Sequence, residues 1–297
     1  MELRVLGCHG GETLRHRPSA FLLDETFSID AGSLSRGLAL DEQLTLEAVA
    51  VSHAHFDHVR DLATVADNRC QAESPSLVVA ATAPTMEALR RHFFNGVLWP
   101  DFFQIPTLGG APTLTWVELT WERPNRVGRY DVTALPVNHT VDAAGFLVRG
   151  PEGTLAYSGD TGPTDAFWRW VEREPNLRAL IVEVSFPNDE QGLASVSGHH
   201  TPRTMADDLR KLAHPERVPT LLFHMKPRFQ ARIERECAAL RGLSLDVPSI
   251  GDRFVLGLAD GKTARGPDGP SRARSGRRAT HVVAGRRGQR RCRRAPR

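Results

Sequence analysis

Cysteine is scarce, and its four copies, Cys8, Cys70, Cys237 and Cys292, stand far apart with no paired spacing. A disulfide framework is therefore excluded, and a reducing compartment is the natural setting. No apolar run approaches the roughly 20 residues that cross a bilayer. The opening residues, MELRVLGCHGG, lack the charged-then-apolar order of an export signal. A cytoplasmic protein without a membrane span is the expectation. Also missing are an internal repeat and a glycine-rich phosphate loop, which removes solenoids and P-loop nucleotide binding from consideration.

Acidic residues are almost absent from one end. From Gly261 onward, twelve Arg and one Lys face a single acid, Asp268, a net +12 that leaves −9 on residues 1–260 out of a total of +3. The longest apolar run in this stretch is residues 282–284, too little to build a core. A disordered Arg-rich tail over residues 261–297 is expected, with non-specific affinity for nucleic acid or acidic partners. The remainder is 1–260, with no linker dividing it. The chain as a whole is 40% hydrophobic. One domain with a sizeable core follows as the expectation, and a homodimer is among the compatible assemblies.

Short apolar runs recur at residues 3–6, 21–23, 49–51, 77–80, 114–119, 132–137, 146–148, 155–157, 180–184 and 221–223. Their length and flanking Gly, Pro and Asp predict strands. Helices are predicted over APTMEALRRHFF, TGPTDAFWRWVERE and TPRTMADDLRKLA. In the last, Thr201 can cap, Pro202 suits the first helical position, and Met205, Leu209 and Leu212 share a face. Strict strand–helix alternation is lacking, which favours a mixed-sheet sandwich flanked by helices.

The densest chemistry lies in VSHAHFDHVRDL, where His53, His55, Asp57 and His58 follow a predicted strand and precede a short helix. In an extended segment His53 and His55 point to one side. Asp57 and His58 can serve a neighbouring point where the chain turns. Imidazole and carboxylate both bind divalent zinc, iron or manganese, so one segment can feed two ions. A solvated His-rich loop is the bland alternative. Further candidates follow later strands: His139 in VNHTVDAAGF, Asp160 in YSGDTGP and His224 in FHMKP. A single histidine after a strand is commonly a cap or a surface residue. Three such residues repeating one placement are hard to ascribe to accident.

These motifs resemble the metallo-β-lactamase fold superfamily: HAHFDH matches its H-x-H-x-D-H signature, and His139, Asp160 and His224 follow in the matching order. Within it the chain looks like the class II 3′,5′-cyclic-nucleotide phosphodiesterases. That likeness covers most of residues 1–255 and rests on segments such as FFNGVLWPDFFQIP, YSGDTGPTDAFW, VEVSFPN and SGHHTP. The resemblance implies an α+β four-layer αββα sandwich with a dinuclear centre at the sheet edge. His53, His55 and His139 would hold one ion, Asp57, His58 and His224 the other, and Asp160 would bridge them. Zinc is the default metal, with Mn2+ or Fe2+ as alternatives. Asp30, in SIDAG, matches an acid that orients a ligand histidine; a plain turn residue is the alternative.

The implied reaction opens a 3′,5′-cyclic nucleotide, cAMP or cGMP, to the nucleoside 5′-monophosphate. His199, just ahead of a helix start, is the candidate for assisting the leaving 3′ oxygen. His200 stands where the family commonly has an apolar residue, and is the rival assignment. Glu183 is costly to bury unpaired, so it orients His199 or pairs structurally. Phe94 or Trp99 could stack on a nucleobase and Asn95 could hydrogen-bond it; core packing is the alternative. A tRNA 3′-end nuclease of the same fold is the second hypothesis. It should show a basic Gly/Pro-rich arm within the domain, and the −9 body would repel a polyanion. A binder acting through the tail is the third, but a binder has no need of seven metal-ligand residues.

Overall fold

Apolar residues alternate sides along the strands, and this alternation builds two sheets around a shared interior. The structure, a computed structural model, describes residues 1–256 and the pair Ala264–Arg265. In chain order the strands are β1 (Glu2–Gly7), β2 (Ala20–Leu23), β3 (Phe27–Ile29), β4 (Ala48–Ala50), β5 (Leu77–Ala81), β6 (Leu114–Glu118), β7 (Pro124–Val127), β8 (Tyr130–Pro136), β9 (Ala144–Gly150), β10 (Gly153–Tyr157), β11 (Leu177–Glu183), β12 (Thr220–Phe223), β13 (Leu245–Asp246), β14 (Arg253–Val255) and β15 (Ala264–Arg265). One sheet has the order β15-β14-β1-β2-β3-β4-β5-β6, and the other β13-β12-β11-β10-β9-β8-β7.

The facing sides interlock. Leu3, Val5, Phe21 and Ile29 of the first sheet meet Val132, Phe146, Ile181 and Phe223 of the second. On the outer sides, Leu22, Val49 and Val79 pack on helical Leu62, Val65 and Met86. Leu147, Leu180 and Leu222 pack on helical Phe167, Trp168 and Met205. Neighbours Leu180 and Ile181 thus enter different layers, the two-residue period at work. Each such side chain, fully buried, contributes about 1.5–3 kcal/mol of transfer free energy. The layer order is αββα, as expected. The three anticipated helices run Ala83–His92, Ala166–Glu172 and Pro202–Leu209, and Thr201 caps the last by accepting from the Thr204 N–H.

Strand direction gathers the polar residues. Strands β3 to β6 are mutually parallel, as are β10 to β13. Strand β8 shares the direction of β10, because both are antiparallel to β9. The C-terminal ends of β3, β4, β8, β10, β11 and β12 therefore deliver Asp30, His53, His139, Asp160, Glu183 and His224 toward one edge.

The chain has two tyrosines, and both bridge the sandwich. Tyr130 Oη, on the second sheet, donates to Asp24 Oδ2 of the first at 2.5 Å. Tyr157 Oη donates to Asp30 Oδ2 at 2.6 Å.

Among the described residues, no helix is long and apolar enough to cross a membrane. The disordered tail expected over residues 261–297 lies outside the described residues apart from Ala264 and Arg265. Ala264 and Arg265 pair with Val255 and Phe254 as β15, since a backbone ladder needs no apolar side chains.

Candidate metal centre

The HAHFDH segment leaves β4 in extended form and turns into a helix at Phe56–Val59. His53 and His55 converge as their spacing predicts, but through different nitrogens. His53 Nε2 lies 3.0 Å from His55 Nδ1, and His139 Nε2 lies 3.1 Å from the same atom. Beside this triangle, Asp160 Oδ2 is 3.4 Å from His58 Nε2 and 3.0 Å from His224 Nε2. Asp57 Oδ2 is 3.3 Å from His224 Nε2 and 4.0 Å from His58 Nε2. Asp160 Oδ2 also reaches His53 Nε2 at 3.9 Å, so it stands between the two groups. The triads His53–His55–His139 and Asp57–His58–His224 each bring their donor atoms within 4.8 Å of one another.

Two buried carboxylates outside the centre brace it. Asp30 Oδ2 accepts the Nδ1–H of His58 at 2.7 Å. It also accepts the Ser52 hydroxyl at 2.9 Å, and Ser52 Oγ in turn meets His53 Nδ1 at 3.0 Å. Glu183 repeats the arrangement on the other side. Its Oε1 accepts the Nδ1–H of His199 at 3.0 Å, and its Oε2 accepts the Ser185 hydroxyl at 2.8 Å. Ser185 Oγ then meets His224 Nδ1 at 2.9 Å. The His139 ring donates its Nδ1–H to Gly198 O at 2.9 Å. Gly198 needs to be glycine twice over: its φ is +65°, and a Cβ there would sit 2.9 Å from His139 Cα. Asp30 and His224 are themselves left-handed, at φ 58° and 67°, a strain that persists only where surrounding contacts over-determine it.

Burial and neighbouring charge set the protonation. Burial alone would raise the Asp160 carboxyl, but the His224 and His58 imidazoles outweigh it and hold it well below the usual range. Burial would also raise Asp57, and its hydrogen bond with His224 reverses that. His224 is pushed down to about 4 by burial, against the pull of Asp160. His53 is lowered by burial and by His58. His58 moves the other way: burial lowers it, yet Asp160 and Asp30 drive it well above the ordinary histidine value.

This donor set fits divalent metal ions. With Nδ1 of His53 and His139 committed outward, their Nε2 atoms carry bare lone pairs aimed at His55 Nδ1. At most one of these contacts can be a hydrogen bond between neutral rings, whereas a cation satisfies all three. Tetrahedral zinc–nitrogen bonds of about 2.0–2.1 Å place ligand nitrogens about 3.4 Å apart, close to the spacing found. His58 Nε2 and Asp160 Oδ1 are buried without a hydrogen-bond partner, and both belong to these groups. Buried polar atoms seldom stay unpaired.

The remaining predicted residues divide. His199 lies at the centre, its ring 5.0 Å from that of His139 and 5.1 Å from that of His224. Burial lowers it, but Glu183 outweighs this and its pKa is raised. His200 faces away, with Nδ1 on Thr204 Oγ1 at 3.0 Å and Nε2 3.5 Å from Asp208. Phe94 is 1% exposed, packed among Phe93, Phe102 and Phe103; the core-packing alternative holds and no ring face is open to a base. Asn95 spends its amide on its own loop, through Arg91 O and the Val97 and Leu98 N–H groups. Trp99 stays at the surface, with its indole N–H on Ala63 O at 3.2 Å. The exposed aromatic that sequence reasoning missed is Phe56, between His55 and Asp57 and 64% exposed. Ser52 and Ser185 were also missed; their one signal is adjacency to HAHFDH and to Glu183.

The sequence model of the beta-lactamase superfamily domain matches residues 21–225, and the chain belongs to that family. A probable 3′,5′-cyclic-nucleotide phosphodiesterase of Yersinia pestis is 28% identical over 210 residues, which is 63% of this chain and 59% of that protein. The chain thus spans about three fifths of that relative's length. The probable metallo-hydrolase YhfI of Bacillus subtilis is 23% identical over 205 residues, 67% of this chain and 78% of that one. Among solved structures, unliganded yeast PDE1 superposes with a TM-score of 0.71 at 17% identity, covering 86% of this chain and 99% of that one. The short form of human tRNase Z gives 0.62 at 15%, covering 87% and 100%. The class established is therefore a beta-lactamase superfamily domain with the metallo-β-lactamase fold.

Proposed function

We propose that this chain is a dinuclear phosphodiesterase that opens 3′,5′-cyclic nucleotides to nucleoside 5′-monophosphates. The observation that carries the reading is the pair of donor triads with Asp160 between them, in a chain 28% identical over 210 residues to a probable cyclic-nucleotide phosphodiesterase. His53, His55 and His139 would hold one ion, Asp57, His58 and His224 the other, and Asp160 would serve both. Zn2+ suits the imidazole-rich first position; Mn2+ or Fe2+ suits the carboxylate-containing second. Bound ions would supply Lewis acidity toward a phosphoryl oxygen and lower the pKa of a water.

The chain's own residues do the rest. Glu183 fixes His199 with Nδ1–H outward and Nε2 toward the centre, and its charge keeps the ring protonated further into the neutral range. His199 then delivers a proton to the departing 3′ oxygen as water's oxygen bonds to phosphorus, releasing one proton to solvent, and the P–O3′ bond breaks. Phe56 offers an exposed ring beside the ligands on which a base can stack. The wall behind is buried, with His53, His58, Asp160 and Glu183 all inside the protein, which strengthens every charge interaction there.

The test is metal analysis with a turnover screen on cAMP, cGMP, bis(p-nitrophenyl) phosphate and a tRNA precursor. Two equivalents of metal and turnover of a cyclic nucleotide are expected. Cleavage of the tRNA precursor alone would make the chain a nuclease instead, a reading that its fold shared with tRNase Z keeps in play and its acidic body opposes. Full activity without metal would end both.

A further inference from the structure

We infer that Ser185 is a positioning residue that sets metal affinity at the Asp57–His58–His224 position and ties that position to the proton donor His199. The inference rests on the two-position metal reading and concerns a residue to which that reading gives no part.

Ser185 is fully buried, and its backbone is pinned on both sides. Its N–H donates to His200 O at 3.0 Å and its carbonyl accepts from the Lys226 N–H at 3.3 Å. The hydroxyl is therefore presented at a fixed point. Four atoms surround it: Glu183 Oε2 at 2.8 Å, His224 Nδ1 at 2.9 Å, His224 O at 3.2 Å and His199 Nδ1 at 3.3 Å. A hydroxyl has one hydrogen to give and two lone pairs to receive. The charged Glu183 oxygen is the shortest contact and the strongest acceptor, so the hydrogen goes there. The lone pairs are left for N–H donors, and His224 Nδ1 is the nearer. His224 must then carry its ring proton on Nδ1, which leaves Nε2 bare to face a metal. His199 shares the same carboxylate through Oε1.

The other brace provides an internal comparison. Ser52 Oγ donates to Asp30 Oδ2 and receives from His53 Nδ1 in the same manner, but it serves the His53–His55–His139 position. His58 needs no serine, because Asp30 holds it directly. Each position thus contains one histidine whose tautomer depends on a single hydroxyl. Only Ser185 stands on the carboxylate that also holds His199. Loss of such an outer partner costs roughly 10–100-fold in metal affinity.

The experiment compares full-length wild type, Ser185→Ala and Ser52→Ala in competition for Zn2+ and for Mn2+ against a chromogenic chelator. Nitrogen NMR of the histidine rings identifies the position affected. Ser185→Ala should weaken one of two equivalents by about 10–100-fold, with His224 losing its Nδ1–H signature and His53 keeping its own. Ser52→Ala should reverse the assignment. Excess metal should restore occupancy in Ser185→Ala, while the ring signals of His199 remain shifted. The inference is overturned if Ser185→Ala leaves both affinities unchanged. It is also overturned if both equivalents weaken together with a fall in Tm, which is the signature of a merely structural role. A wild-type chain that binds fewer than two equivalents defeats the two-position reading itself, and this inference with it.

Discussion

Glu183 decides which nitrogen of His199 is left free to serve the proton delivery proposed above. With Nδ1–H fixed on Glu183 Oε1 at 3.0 Å, the free Nε2 is the only atom of the ring left for the reaction. A ribose alkoxide leaves poorly without a proton, whereas p-nitrophenolate leaves as a stable anion. His199→Ala should therefore lower turnover of a cyclic nucleotide by about 10²–10⁴-fold and that of bis(p-nitrophenyl) phosphate far less. Steady-state rates on the two substrates check this; equal losses would make His199 a binding group. His200→Ala should show no contrast, because its imidazole points to Thr204 and Asp208. Sequence left this choice open, since adjacent histidines before a helix look alike. The register of Glu183, which also accepts the His200 backbone N–H at 3.0 Å, separates them. Asp30 was readable from the match of SIDAG to the family's acid. Ser52 and Ser185 were not, because serine is common and its hydroxyl gains meaning only from the two groups that flank it in space.

At the scale of elements, the ten apolar runs were legible because most of those strands, such as β2, β4 and β10, are buried on both sides and read as continuous hydrophobic stretches. Strands β3, β7, β13, β14 and β15 escaped notice: they are two to four residues long and owe their form to pairing rather than to their own composition. For the aromatic segment around Phe94 and Trp99, sequence left nucleobase contact and core packing both open. Aromatic residues fill cores and line pockets with the same composition, and only the surrounding Phe93, Phe102 and Phe103 settle which. The turn after the helix Gln191–Ser197 yields a prediction of its own. Gly198 adopts φ 65° there and its carbonyl orients His139. Gly198→Ala should destabilise the fold by roughly 1 kcal/mol or more and weaken metal binding at the His53–His55–His139 position first. Denaturant midpoints and chelator competition measure the two effects. Unchanged metal affinity would show that this carbonyl does not govern the ring.

The whole molecule divides its charge unevenly, −9 over residues 1–260 against +12 beyond them. Removing residues 266–297, which spares β15, should leave turnover of small substrates within a few-fold of wild type. It should abolish salt-sensitive binding to nucleic acid or anionic surfaces, as a binding series in rising salt would show. A truncated chain that loses turnover would mean that those residues support the site. The paired tyrosines give the sandwich an optical gauge. Tyr130 and Tyr157 are the only phenols in the chain, and each is locked between the sheets against a carboxylate. Burial raises the pKa of both, and Asp24 and Asp30 raise it further. Neither ring should ionise near pH 10, where a free tyrosine does. In an alkaline titration, phenolate absorbance should stay flat through that range. It should then rise in one step, together with the loss of far-ultraviolet dichroism, when the layers part. A gradual rise near pH 10 in a chain that remains folded would mean that water reaches the seam between the sheets.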